Sequence, residues 1–120
     1  MEITRVHDIV IVHLGGEITF NELPEISETL RSLCETGHAK ILLDMTEVEH
    51  VHYLVFRKLG DIATILRIQG GDLKIAGLSP ENREILKFTG VDAALEAPMR
   101  VAEGILGFVK PVSAQTVMYH

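Results

Sequence analysis

Two histidines two positions apart, His50 and His52, carry the clearest hint of chemistry in the chain. Glu47 and Glu49 stand beside them, and an extended His-x-His presents both rings to one side, as a metal site needs. A closed site takes a third and usually a fourth ligand, and His7, His13 and His38 fall on segments that the sequence does not bring near. The pair is therefore expected to face solvent at a strand-to-helix loop, with no metal and no cofactor. A ligand- or metal-binding domain built on His50 and His52 stays open as an alternative. Cys34 is the only cysteine; it follows Leu33 near the end of an apolar-periodic segment and is expected to be a small buried hydrophobe. No Gly-x-Ser-x-Gly turn, cysteine–histidine signature or Walker-type loop occurs. The pairs Gly15-Gly16 and Gly70-Gly71 lack the spacing of a dinucleotide loop and read as turns. No enzyme is expected.

The elements that would position these side chains follow from hydrophobic periodicity. Residues 3–6 and 9–14 are apolar stretches separated by His7-Asp8, which predicts a β-hairpin. Gly15-Gly16 is expected to break the second strand, and Asn21 to cap a helix whose first turn holds Pro24. Leu23, Ile26, Leu30 and Leu33 give that helix one apolar face, and Gly37 stops it. Ile41-Leu42-Leu43, ended by Asp44, reads as a central strand buried on both faces. A helix over about 52–69 follows, with Val55, Leu59, Ile62 and Leu66 as its core stripe, ended by Gly70-Gly71. Residues 73–76 read as a strand. Ser79-Pro80-Glu81 starts a helix that stops at Gly90. Residues 93–95 are expected to form an edge strand and 99–109 a last helix, packed through Val101, Ala102, Ile105 and Phe108 and weakened by Gly104 and Gly107. The order β-β-α-β-α-β-α-β-α predicts an α/β fold with a mainly parallel sheet of four or five strands reached by right-handed crossovers.

Length and charge narrow the partners. At 120 residues, with 47% apolar and 23% charged residues, the chain suits one domain, expected over residues 1–109 with a mobile tail at 110–120. The formal charge of −6 comes without a Lys/Arg block, so nucleic acid is not an expected partner. No apolar run approaches the roughly 20 residues of a membrane span. The start of the chain lacks the features of a signal peptide, and a single cysteine suits a reducing cytoplasm.

Several segments taken in order resemble the STAS domains, named for sulphate transporters and anti-sigma-factor antagonists. Gly16-Glu17-Ile18 is similar to the family's step after its second strand. Ile41-Leu42-Leu43-Asp44-Met45-Thr46-Glu47-Val48 resembles its central strand, and 71–80 and 86–91 its later strand and helix. The resemblance covers about residues 2–108. It implies the SpoIIAA-like fold and a bacterial, non-enzymatic protein-binding role in signalling and the regulation of transcription. It also implies protein partners, either a kinase-like anti-sigma factor or another STAS protein, and is compatible with a homodimer. An adaptor subunit of a transporter or signalling scaffold is the alternative role.

In the family, a loop of the form Asp-Ser-Ser/Thr-Gly precedes the second helix, and its hydroxyl is phosphorylated by a partner kinase. Spacing from Asp44 puts His52-Tyr53-Leu54-Val55 there, with Leu54 at the acceptor position. The switch that a phosphate of about −1.5 to −2 charges would operate is thus expected to be absent. The docking surface is expected to hold His52, Tyr53, Leu54, Arg57, Lys58 and Asp61, with Tyr53 opposite the core stripe. Leu54 either anchors a partner or packs on a neighbouring element. Thr46 and Ser79 offer further hydroxyls; Thr46 is expected to bond local backbone.

Overall fold

The computed structural model describes residues 1–38, 40–92 and 94–118. Strands β1 (Glu2–Val6) and β2 (Ile9–Ile18) form the expected hairpin, closing with Val6 opposite Ile9. A two-residue turn of this kind asks for positive φ, and His7 supplies it at φ 56°. Helix α1 (Leu23–Glu35) leads to β3 (Lys40–Val51) and α2 (Tyr53–Ile68). Then follow β4 (Asp72–Ala76), α3 (Pro80–Thr89) and α4 (Val101–Met118). The sheet runs β1-β2-β3-β4, antiparallel in the hairpin and parallel between β2 and β3 and between β3 and β4.

Both faces of this sheet are covered, which is why β2 and β3 carry unbroken apolar runs. Val10, Val12, Leu14, Ile41, Leu43 and Met45 join the main core with α1, α2 and α3. Ile9, Ile11, Leu42 and Ala76 face the other way, against Val101, Ile105 and Phe108 of α4. Gly104 is buried at that contact, where a Cβ would stand 2.7 Å from Leu42 Cδ1. The glycine expected only to weaken the helix is what lets α4 approach the sheet. Beside it Lys74, almost fully buried, pairs with Glu96 and lies 5.0 Å from the Phe108 ring centroid. A buried ammonium needs such partners.

Several local expectations are corrected. β2 does not break at Gly15-Gly16; it continues to Ile18 through two register shifts, because β3 runs on to Val51 beside it. His50 accordingly lies in a strand rather than a loop. Asn21 does not cap α1: Glu22 holds the cap position, and its carboxylate accepts from the Thr19 N–H and hydroxyl, each at 2.7 Å. The expected strand at 93–95 reduces to one bridge from Glu96 to Lys74, with Ala93 itself outside the described residues. The last helix extends past residue 109 to Met118, and Ala102 is exposed rather than packed. In α2 the stripe is wider than expected: Phe56, Gly60 and Ala63 are buried with Val55, Leu59 and Leu66, while Ile62 is half-buried. Cys34 is half-buried, its thiol donating to Gln69 Oε1 at 2.7 Å.

Candidate functional site

The corner where β3 becomes α2 is built by three restraints. The His52 N–H donates to the Ile18 carbonyl at 2.9 Å, tying the corner to the end of β2. The buried Val51 N–H donates to Asn82 Oδ1 at 3.1 Å, and the Asn82 side-chain amide donates to the Glu49 carbonyl at 3.4 Å. Asn82 is itself fully buried, presented by a short helix whose start is fixed by the Ser79 hydroxyl accepting from the Asn82 N–H at 3.1 Å. Finally, His52 caps α2: its Nδ1 accepts from the Leu54 N–H at 3.2 Å, which satisfies one of the free donors of the first turn.

The cap exposes an aromatic cluster. The His52 ring lies between Phe20, at 5.0 Å, and Tyr53, at 4.9 Å. Phe20 is 50% exposed and Tyr53 44%. Across a groove of about 350 Å³ stand Ile85 and Phe88 of α3, with His50, Val51 and Glu84 completing its walls. Phe88 is 84% exposed. So much aromatic surface around one groove is unusual for a side of a monomer left in water.

The residues expected to dock a partner lie on the side of α2 away from its buried stripe, with His52 at the cap. Tyr53, Arg57 and Asp61 are all exposed and follow one another at successive helical turns on one face of α2. Lys58 is exposed but lines a different groove, between α1 and α2, with Arg31, Cys34, Glu35 and Leu66. Leu54 is half-buried, one turn above Lys58. Sequence reasoning missed Phe20, Phe88 and Asn82, since all three reach the corner by tertiary contact from α3 or from the turn before α1. The one local signal was the Ser79 cap, which sets the rotation of α3.

His50 and His52 line the same groove, but Nδ1 of His52 is engaged by the helix. Among the described residues no three His, Cys, Asp or Glu side chains gather as metal ligands do. A second polar cluster ties the strands together. Thr4 Oγ1 lies 2.9 Å from His13 Nε2, and His13 Nδ1 lies 2.7 Å from Asp44 Oδ2. The other carboxylate oxygen accepts from the Thr46 N–H and hydroxyl, so Thr46 bonds a side chain rather than local backbone. Burial alone would raise the Asp44 pKa; the hydrogen bonds from Thr46, with His13, outweigh it and hold the carboxyl below its ordinary value. The order hydroxyl, imidazole, carboxylate is that of a nucleophile relay. Here it joins neighbouring strands, with Thr4 on the exposed edge.

A sequence model of the STAS domain matches residues 1–104. The chain belongs to the STAS domain family. This STAS domain resembles in structure a putative anti-sigma factor antagonist from Thermotoga maritima, with a TM-score of 0.79 at 17% identity over 87% of this chain and 90% of that one. It is similar to an anti-sigma factor antagonist from Mycobacterium paratuberculosis, with a TM-score of 0.74 at 13% identity over 88% and 90% of the two chains. For a serine-to-glutamate variant of RsbS from Moorella thermoacetica the TM-score is 0.72 at 21% identity, over 94% and 97%. At these identities the likeness is one of fold. No curated protein sequence matches the chain. Among the described residues no helix of this STAS domain is long and apolar enough to cross a membrane.

Proposed function

We propose that this STAS domain is a protein-binding regulator of the anti-sigma-factor-antagonist kind, docking a partner at the corner between β3 and α2. The observation that carries the proposal is an open groove lined by His52, Tyr53 and Phe88, with the exposed Phe20 ring packed beside His52. Rigid, partly exposed rings around a central depression are what binding hot spots are made of. Its structural neighbours include anti-sigma factor antagonists, one of them putative, which favours a regulatory partner. Tyr53 contributes an anchor, Arg57 and Asp61 a charged rim on the same helix face, and His52 the cap that orients them. Leu54 and Lys58 lie on the flank toward α1 and extend the contact if the partner reaches round the helix.

The docking is independent of phosphorylation, because the position expected for the acceptor holds Leu54 and the only hydroxyl between Val51 and Phe56 is that of Tyr53. Incubation with ATP and a serine kinase of this system should leave residues 51–56 unmodified; stoichiometric phosphate on Tyr53 in a peptide map would overturn that. Docking itself is tested by pairing thermal melts with capture from the native lysate. Tyr53→Ala should melt close to wild type and weaken capture at least tenfold, the scale of a lost aromatic anchor of roughly 2 kcal/mol. Leu54→Asp should weaken it as well if the partner reaches that flank. If Tyr53→Ala and Phe88→Ala both melt normally and retain every partner, the corner is not the docking surface.

A further inference from the structure

Helix α2 is capped by an imidazole, where serine, threonine, asparagine and aspartate are the usual choices. We propose that His52 makes the docking corner responsive to protons: neutral, it fastens the first turn of α2, and protonated, it releases that turn together with Tyr53 and Leu54. The consequence for partners rests on the docking role proposed above, whereas the release itself is a property of the free chain.

The chemistry lies in the direction of one hydrogen bond. Nδ1 accepts from the Leu54 N–H, so it must offer a lone pair, and the ring proton then sits on Nε2. A second proton has only Nδ1 to occupy. It would turn the acceptor into a donor facing a donor and place a positive charge at the positive end of the helix dipole. The surroundings bear on the charge but not on this conflict. On α3, Glu84 shares the groove, and so does His50 of β3. Glu17 of β2 lies opposite His50 in the register. Tyr53 stacks on the ring from α2, and the turn that presents Phe20 also holds Glu22, whose carboxylate is occupied by Thr19. The stacked Tyr53 ring and Glu84 in the same groove tolerate an imidazolium, while His50 opposes it. None of them can return an acceptor to the Leu54 N–H. The outcome is therefore an unfastened helix start in a folded domain. Helix α3 provides an internal contrast, since its cap is the Ser79 hydroxyl, which stays an acceptor at any moderate pH.

Amide hydrogen exchange of the free chain tests this, with the proton as the only ligand. Between about pH 8 and about pH 5, the Leu54 amide should lose protection by about fivefold after correction for the intrinsic rate, the size of a lost side-chain cap. The Asn82 amide, capped by Ser79, should keep its protection. His52→Asn retains an acceptor that does not titrate and should abolish the loss at Leu54; His50→Gln should leave it in place. Equal pH profiles for Leu54 in wild type and His52→Asn would overturn the proposal. Loss of partner capture in Tyr53→Ala with no pH effect on Leu54 would overturn it while sustaining the docking surface. A Leu54 amide that titrates in wild type alone supports it, even where Tyr53→Ala captures normally and the docking surface has to be sought elsewhere.

Discussion

Asn82→Ala removes both bonds by which α3 holds the end of β3. The Val51 N–H is fully buried and would lose its acceptor, leaving an unsatisfied donor whose desolvation costs about 1–3 kcal/mol. The second bond, to the Glu49 carbonyl, is long at 3.4 Å and adds little. A net loss of roughly 2 kcal/mol follows, equivalent to a fall in Tm of roughly 8 °C for a domain of this size. Urea unfolding followed by circular dichroism measures it, with the m-value serving as a check that the loss is one of stability. Asn82→Asp separates the two bonds, because a carboxylate still accepts from Val51 but repels the Glu49 carbonyl. At neutral pH it should be at least as damaging as alanine, and it should recover part of the loss on acidification as the carboxyl protonates. A change in Asn82→Ala smaller than about 0.5 kcal/mol, the ordinary range for surface substitutions, would refute the role given to this side chain.

Other outcomes follow from the same contacts. Gly77→Ala should cost about 3 kcal/mol or more, since φ is 80° and a Cβ would stand 2.4 Å from Thr46 Oγ1 and 2.8 Å from its N; a thermal melt within a degree of wild type would contradict this. The depressed pKa of Asp44 means that its contribution to stability is present above the ordinary carboxyl value and lost as pH falls through the folded value. The deficit of Asp44→Asn, read by urea titration, should therefore be widest above about pH 5 and close below about pH 4. Gly104→Leu should fail to seat α4 over Leu42, seen as loss of helical signal and a lower Tm.

The parts of the fold legible in the sequence were those encoded locally. Ser79, Gly70 and Gly90 mark helix ends by their own conformations, and the step of Val55, Leu59 and Leu66 marks a buried face. The lengths of β2 and β3 were not legible, because pairing between Gly16 and Val48 or between Ile18 and Val51 joins residues more than thirty apart. A glycine pair that reads as a break in isolation becomes a bulge once a partner strand runs beside it. Gly104 was misread for the same reason, its role lying in a contact with Leu42 across the sheet. At the candidate site, the exposure of Tyr53 followed from a helical projection. The rest of the aromatic cluster depended on where α3 and the turn at Phe20 come to lie.

Among the described residues α4 is the one helix over one face of the sheet, and this arrangement gives the molecule two shells of unequal depth. The main core is shared by three helices, whereas Ile9, Ile11, Leu42 and Ala76 have α4 as their helical cover. Fluctuations that expose apolar surface should therefore begin with that helix, which can lift while the other layer stays intact. Trimming the chain ahead of α4 would then give a sticky particle rather than a smaller folded domain, since an apolar stripe crossing three strands, with the ammonium of Lys74 at its margin, would be laid open to a second copy. Helix α4 is in this sense what keeps that stripe from serving as an interface.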